Sequence, residues 1–175
     1  AACVAALKRD DLRPLLLSAR ARACLDATQD ADTLLREALS TRKLNDLRRQ
    51  RRRLADHGPV RFEVARTPDE VGRALEIFLT LENSGWKGRR GTALLQRPGD
   101  SRFIRTAAPM LAQSGACEIV SLHAGSAPIA AAILVRHQDR AFYFKIGMNE
   151  AFAKFSPGVQ LTLDVTRHLC ADPLI

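Results

Sequence analysis

The sequence predicts an α+β fold in which helices flank one sheet. Three patterns indicate it: a helix start at Thr67-Pro68, three successive strand patterns within residues 117–148, and a further helix start at Ser156-Pro157. Tight turns join the three strands, so they should pair as an antiparallel meander. Helices that precede and follow such a meander pack on its faces, which defines the α+β class.

Composition limits the function classes. The 175 residues are 46% hydrophobic and 26% charged, which is typical of one folded domain, alone or with an arm, and excludes a disordered tail. The formal net charge of +8 predicts an anionic partner, either nucleic acid, a phosphate-bearing cofactor or a membrane surface. No apolar run, including that at residues 129–135, is longer than seven residues, which is too short to cross a membrane.

The cysteines lie at positions 3, 24, 117 and 170, and no histidine completes a zinc-binding spacing with them. Isolated cysteines of this kind are typical of free thiols in a reducing compartment. We therefore expect a cytoplasmic location and no metal site.

Much of the positive charge lies in residues 36–53, where eight Lys or Arg face two acids. Leu44, Leu47 and Leu54 recur there at helical spacing, and Gly58-Pro59 ends the pattern. One interpretation is a helix that contacts phosphates, for example those of RNA. The other is a linker helix whose arginine stems cover apolar surface, and the lack of interleaved aromatic residues favours it.

Capping residues, alternation and turn residues place the other elements. In chain order we expect a helix that ends at Leu39, a strand at residues 60–64, a helix from Pro68 to about Ser84, a helix from Asp100 or Ser101 to Gln113, strands at 117–123, 128–136 and 140–148, and a helix from Pro157 to about Cys170. Residues 1–29 are ambiguous, with a helix at 1–7 and a strand at 14–18 as candidates. The middle strand of the meander is apolar on both faces, so both faces should be covered.

Glu82 is a candidate general base. It continues the apolar stripe formed by Val71, Leu75 and Phe78, at the C-terminal end of their helix. Desolvation and the helix dipole both disfavour a charged carboxylate there, which suits a base that works near neutrality. The alternative is a structural carboxylate held by Lys87 or Arg89.

A Gly-rich basic loop is expected at residues 84–99. Its centre reads Trp86-Lys87-Gly88-Arg89-Arg90-Gly91-Thr92, with the only tryptophan of the chain. Cations beside an aromatic ring suit the binding of an acidic or phosphorylated ligand. The alternative is a solvated loop.

The helix start at Ser156-Pro157-Gly158-Val159 follows directly on a predicted strand. Ser156 should cap this helix, while its free N–H groups and positive dipole end form an anion site that Gly158 leaves uncovered. Plain helix capping is the alternative interpretation.

The strand before this helix offers a possible groove lining. Alternation places Tyr143, Lys145 and Gly147 on one face, where a tyrosine, a lysine and a missing side chain can border a ligand. The alternative is an edge strand whose outer face is simply wetted.

Three blocks of sequence together resemble one family. They read RRQRRRLADHG at residues 48–58, FLTLENSGWKGRRGTAL at 78–94, and FKI at 144–146 followed by Asn149-Glu150 and Phe155-Ser156-Pro157-Gly158. The chain, over about residues 35–170, resembles the bacterial GNAT-superfamily acetyltransferase-like domain described as cellulose biosynthesis protein CelD, which is related to the FemAB-like transferases. The most specific part is the Glu-x-x-x-Trp-Lys-Gly-x-x-Gly-Thr block, which begins at Glu82.

This resemblance implies a mixed, mostly antiparallel sheet flanked by helices, in a core at residues 58–175 that follows a helical arm at residues 1–57. It implies that acyl-CoA places its pyrophosphate at the helix after the fourth strand, here Ser156, Pro157, Gly158, Val159 and Gln160. The family has an acidic residue where Asn149 stands, which leaves Glu150 for that role. The family domain continues with further strands, so we expect a sheet that is incomplete at the C-terminus and a homo-oligomer through its uncovered edge.

The resemblance predicts an N-acyltransferase that uses acetyl-CoA or another acyl-CoA, without a metal. The acceptor would be an amine, on a small molecule or in the cell envelope, in polysaccharide or envelope biosynthesis. Glu82, Lys145 and Glu150 would be catalytic, and the acceptor pocket would contain Trp86, Lys87, Arg89, Thr92 and Tyr143. Two alternatives stay open, an RNA-binding or aminoacyl-tRNA-dependent module and a catalytically silent assembly protein.

Overall fold

The computed structural model of the chain describes residues 7–13, 15, 18 and 23–175. The helix expected at residues 1–7 and the strand expected at residues 14–18 lie largely outside the described residues. The basic helix and the whole predicted core lie within them.

The described elements follow the predicted order closely. The helices are α1 (Ala31–Ala38), α2 (Thr41–Leu54), α3 (Pro68–Ser84), α4 (Trp86–Arg89), α5 (Pro98–Gln113) and α6 (Pro157–Cys170). The strands are β1 (Val60–Ala65), β2 (Cys117–Ala124), β3 (Ala127–His137) and β4 (Arg140–Met148). Short 3₁₀ turns occupy Ala55–His57, Leu94–Gln96 and Glu150–Phe155.

The four strands form one antiparallel sheet in the order β1-β2-β3-β4. Short turns such as Gly125-Ser126 join β2, β3 and β4, whereas α3, α4 and α5 lie between β1 and β2 in the chain. The predicted α+β class, with an antiparallel sheet flanked by helices, is confirmed.

Helices cover both faces of the sheet. On one face α3 and α5 pack through residues such as Leu75, Phe78 and Ile104 against Ile119 and Ile133. On the other face Leu161 and Val165 of α6 pack against alternate residues of the same two strands, joined by Leu54 of α2. All of β2 and residues 129–134 of β3 are buried, so the prediction that both faces of the middle strand are covered is confirmed.

Two helix starts show how local sequence decides a boundary. For α3 the predicted capping box is present: Thr67 accepts the Glu70 N–H, and Glu70 accepts the Thr67 N–H. For α5 the predicted start at Asp100 or Ser101 is wrong, because the helix begins at Pro98. A proline fits the first helical position, where no N–H is needed, so it extends the helix by two residues.

The basic helix α2 is a packed element of the fold. Leu47 and Leu54 are buried, and Arg51, which interrupts the apolar stripe, donates to Asp164 of α6 at 2.8 Å. The Gln160 side chain of α6 donates to the Leu47 carbonyl at 2.8 Å. These contacts fix α2 against α6, whereas the coverage of apolar surface by its arginine stems and a domain boundary at residues 57–58 stay predictions.

A buried carboxylate joins β2, β3 and α6. Glu118 accepts hydrogen bonds from Arg136 at 2.7 Å and Arg66 at 3.2 Å, and its other oxygen lies 2.8 Å from His168 Nε2. Burial alone raises the pKa of Glu118, but the hydrogen bonds from His168 and Arg136 outweigh it and lower the pKa to about 2. The charged form of Glu118 therefore stabilises the fold.

We predict that Glu118→Gln lowers the free energy of unfolding at pH 7 by about 3 kcal/mol, because a pKa depressed from 4.5 to about 2 corresponds to that much stabilisation. A carboxylate with a depressed pKa stabilises above its unfolded pKa. The contribution is thus present above pH 4.5 and is lost as the pH falls through 2. Urea unfolding across this pH range should show that the difference in free energy of unfolding between variant and wild type becomes smaller in acid.

The control is Glu63→Gln, at an exposed carboxylate of β1, which should change stability by less than about 0.5 kcal/mol. A gap for Glu118→Gln that is the same at pH 7 and pH 2.5, or absent at both, would contradict this account.

Candidate functional site

The candidate site lies where the end of α3, the short helix α4 and the last residues of β4 meet. Two glycines bring these backbones together. A Cβ on Gly147 would lie 2.6 Å from the Glu82 backbone nitrogen, and a Cβ on Gly88 would overlap the carbonyl oxygen of Asn83. Only glycine allows so close an approach at either position.

Glu82 is buried at this junction, with 2% of its surface exposed. Its Oε1 accepts from Lys145 Nζ at 3.2 Å and Lys87 Nζ at 3.4 Å, and its Oε2 accepts the Leu94 N–H at 2.9 Å. A buried carboxylate needs such partners. The predicted burial is confirmed, its cations are Lys87 and Lys145 rather than Arg89, and its role as a base stays a prediction.

Lys87 connects α4 to the edge of the sheet. Its ammonium donates to the Ile146 carbonyl of β4 at 2.7 Å, and its own carbonyl accepts the Thr92 and Ala93 N–H groups. The exposed Thr92 hydroxyl donates to the same Lys87 carbonyl at 3.2 Å. Lys87 and Thr92 thus hold the segment in place, while their predicted contact with an acceptor is untested.

Glu150 attaches α4 to the segment after β4. It accepts the Trp86 N–H at 2.9 Å and receives two bonds from the Arg89 guanidinium at 2.8 and 3.0 Å. The hydrogen bond from Arg89 lowers the pKa of Glu150, so the carboxylate stays charged. This geometry makes Glu150 a positioning group for α4, and its predicted catalytic role remains untested.

The prediction of a loop over residues 84–99 is wrong in part, because α4, a 3₁₀ turn and the first residues of α5 lie within it. Glu150 stabilises α4 by accepting the first N–H of the helix, a contact that 64 residues of sequence separation hide from local analysis. Trp86 is nevertheless 47% exposed, with the Arg90 guanidinium 5.3 Å from its ring centre. An exposed tryptophan with a cation beside its ring is consistent with the predicted ligand-binding role, which stays a prediction.

The faces predicted for β4 are wrong for Tyr143. Ile133 pairs with Lys145 but Leu134 pairs with Tyr143, which leaves Phe144 without a partner and shifts the alternation by one residue. Lys145 and Gly147 therefore face α3, whereas Tyr143 packs on the α6 side of the sheet. Nothing in the alternating residue types marks this bulge.

Burial raises the pKa of Tyr143, and the neighbouring Thr162 hydroxyl opposes that shift in part. None of the described residues gives the buried Tyr143 hydroxyl a hydrogen bond of complete geometry. Tyr143 lies on the opposite side of the sheet from the Glu82 carboxylate, so the structure does not bring it together with Lys145.

The start of α6 differs from the predicted cap. Ser156 lies in the left-handed region, with φ 52°, and its side chain makes no capping bond. Capping serines normally have extended backbone, so this conformation explains the missing bond. Within the described residues, the N–H groups of Gly158 and Val159 have no side-chain cap, whereas the Gln160 N–H donates to the Ser156 carbonyl at 3.0 Å.

Of the five residues predicted at this anion site, two supply free backbone donors. Pro157 has no N–H, and both the N–H and the side chain of Gln160 are used within the protein. A Cβ on Gly158 would lie 3.3 Å from Ile146 Cδ1, so the missing side chain lets the start of α6 approach β4 closely. Gly158 and Val159 are the strongest candidates for contact with an anion.

The outer edge of β4 offers further backbone donors. The Asn149 N–H donates to the Ile129 carbonyl at 2.9 Å, and the antiparallel alternation then directs the N–H groups of Ile146 and Met148 away from β3. Among the described strands none pairs with this edge. The strand itself is evident from the sequence, but which of its amides are free depends on the register with β3.

The fold and the site define an α+β domain whose last helix begins with two uncapped amides beside the outer edge of β4. A family model described as acetyltransferase (GNAT) domain matches residues 40–174, which is most of the chain, and the chain belongs to this family. The predicted superfamily is thereby confirmed. Among curated proteins, none matches the chain.

Two further properties concern only the part of the chain that the structure describes. None of its helices combines the length and apolar character needed to span a bilayer. Nor does it contain a group of three or more His, Cys, Asp or Glu side chains placed to hold a metal ion. Cys24, Cys117 and Cys170 carry free thiols, and burial raises the pKa of Cys117 to about 11.

We predict that Gly147→Ala destabilises the protein by about 1–3 kcal/mol, because its Cβ would push the end of α3 away from β4. Gly72→Ala, in α3 with nothing within 4 Å of the added Cβ, is the control and should be stabilising by about 0.5–1 kcal/mol. Urea unfolding measures both. A Gly147→Ala protein as stable as the wild type would mean that the close approach does not constrain the site.

Proposed function

We propose that this protein is an N-acyltransferase that moves an acetyl or other acyl group from acyl-CoA to an amine. The observation that carries the proposal is the start of α6, whose free N–H groups lie beside the open edge of β4 in a member of the acetyltransferase (GNAT) family. Such a helix start suits a pyrophosphate, because its amides and its dipole both favour negative charge.

The donor would lie along β4 and the start of α6. The amides of Gly158 and Val159 would bind the pyrophosphate, since no side chain of Gly158 covers them. The outward amides of Ile146 and Met148 would stabilise negative charge on the carbonyl oxygen during transfer. Acyl-CoA supplies the activated acyl group as a thioester.

The acceptor amine must lose a proton as it is acylated. The amine nitrogen would bond to the acyl carbon as the thioester C–S bond breaks and CoA leaves as a thiolate. We assign the proton that the amine loses to the Glu82–Lys145 pair: Lys145 would pass a proton to Glu82 Oε1 as its Nζ takes the proton of the amine. The pair would then return a proton to the thiolate. The Glu82 side chain has no exposed surface, whereas Lys145, 3.2 Å away, is 27% exposed. Glu82 would then act through Lys145 and hold it in place. This role differs from the one expected from the sequence, in which Glu82 itself takes the proton from the amine.

The acceptor side of the site would include Trp86 and Arg90, held by the Glu150–Arg89 pair. Exposed cations beside an aromatic ring favour an acceptor that carries a carboxylate or phosphate in addition to its amine. We also propose that the protein belongs to the CelD-type branch, because three blocks of its sequence resemble that branch. Membership would imply a cytoplasmic location and an acceptor in the cell envelope.

Self-association through β4 is proposed as a competitor of donor binding. Phe142 and Phe144 are about half exposed on this strand, and its outer edge is unpaired among the described strands. Because the same edge would bind the donor, CoA should dissociate such an oligomer.

We predict that wild-type protein binds CoA and that Gly158→Asp lowers the affinity at least about 30-fold, because the new carboxylate caps the free amides and repels the pyrophosphate. The matched control is Gly99→Asp. Gly99 also follows a proline at a helix start and has nothing within 4 Å, so it receives the same charge away from β4. Isothermal titration calorimetry should show CoA affinity unchanged by Gly99→Asp.

Absence of CoA binding to the wild type would contradict the donor assignment. Aminoacyl-tRNA binding in its place would favour the RNA-dependent alternative, and binding of neither would favour an assembly protein without catalysis. An equal loss for both glycine variants would show that the effect is only one of net charge.

We predict that Glu82→Gln and Lys145→Gln each lower kcat at least about 100-fold and change the pH profile of acyl transfer, while CoA affinity stays within about threefold of wild type. Glu150→Gln is the comparison, since it removes a nearby carboxylate that positions α4, and its pH profile should match the wild type. Full activity of Glu82→Gln with an unchanged pH profile would exclude Glu82 from proton transfer.

A further inference from the structure

Some of the positive charge on helix α2 is not neutralised by carboxylates of the fold. Arg49 pairs with Asp46 at 3.1 Å and Arg51 pairs with Asp164 at 2.8 Å. Arg48 and Arg52, by contrast, have no carboxylate within 4.0 Å, although every acidic residue of the chain is among the described residues. Unpaired arginines need another explanation where they line a concave surface.

Two adjoining cavities on the outer side of α2 and α6 provide that surface. The first, of about 90 Å³, lies between α1, α2 and α6 and is lined by Arg36, Arg48, Arg51 and Arg167. The second, of about 380 Å³ and more open, shares Arg48 and Arg51 and adds Arg52. We call the surface formed by these five arginines the arginine groove.

The inner cavity is built on a packed wall. Leu35, Leu47 and Leu163 form a small core beneath it, and the buried Gln160 side chain is fixed to the Leu47 carbonyl. A water molecule needs about 10–15 Å³ of such space, so 90 Å³ leaves room for a tetrahedral anion.

The charge of the groove matches one phosphate group. Five guanidinium groups face three carboxylates: Asp30 at 4.0 Å from Arg36, Asp32 at 3.4 Å from Arg167, and Asp164, which Arg51 and Arg167 share. The net charge is therefore +2, and a phosphate monoester carries about −1.5 to −2 at pH 7. Guanidinium forks bind phosphate oxygens in pairs.

We propose that the arginine groove binds the phosphate group of a small phosphorylated ligand. The small volume of its inner cavity and the absence of aromatic side chains from the lining favour a single phosphate group over the stacked bases of an RNA strand. The groove is separate from the proposed donor site, because neither cavity is lined by Gly158, Val159 or any residue of β4.

The test is a titration of the purified chain with inorganic phosphate at low ionic strength, followed by calorimetry and ³¹P line width. Arg48→Gln/Arg52→Gln should weaken phosphate binding at least about tenfold, because two charge-assisted contacts are lost. The matched control is Arg42→Gln/Lys43→Gln, which removes the same charge from exposed positions of α2 outside both cavities. It should change phosphate affinity less than about threefold, as should Gly158→Asp.

Three results would overturn the proposal. Equal losses in the two double variants would show diffuse attraction by the helix. Loss with Gly158→Asp but not with Arg48→Gln/Arg52→Gln would assign the phosphate to the donor site. Single-stranded RNA that binds more tightly than phosphate, and is released equally by both double variants, would make α2 a polyanion surface.

Calorimetry with CoA separates this inference from the proposed function. Arg48→Gln/Arg52→Gln should bind CoA within about threefold of wild type. A wild type that binds phosphate in the groove but not CoA would refute the donor assignment alone, and a CoA affinity that falls with the groove variants would refute the separateness of the groove.

Discussion

The close approach of the α3 backbone to β4 is the constraint on which the site depends. Gly147 leaves room for the backbone of Glu82, and this position buries the Glu82 carboxylate at the junction. A buried carboxylate without partners is strongly destabilising, so two ammonium groups and a backbone N–H must meet it. Through Lys87 the same network reaches the Ile146 carbonyl and fixes the outer edge of the sheet.

The starts of α3 and α6 differ in how their first N–H groups are satisfied. The start of α3 has a complete capping box, as expected for an end with a structural role. The start of α6, beside the edge of β4, has a left-handed Ser156 and two amides without a side-chain cap. Stability is supplied elsewhere, notably by Glu118 and its cationic partners and by the packing of α2 on α6.

Much of the fold could be predicted because its signals are local. Thr67-Pro68 starts a helix, alternation over 117–148 gives three strands, and the stripe that ends at Glu82 predicts burial. The features that sequence analysis missed depend on distant partners. The bulge at Phe144 follows from pairing with β3, α4 follows from Glu150, and the missing Ser156 cap follows from the turn that precedes it.

The central claim is that an acyl-CoA donor lies along β4 and the start of α6. Its most direct test is an NMR titration of the ¹⁵N-labelled chain with CoA, read at the backbone amides of Gly158, Val159, Ile146 and Met148. We expect these four amides to shift together and to saturate with one affinity, while the amides of α2 stay unchanged. Shifts confined to α2, with the four amides unmoved at saturation, would contradict the account.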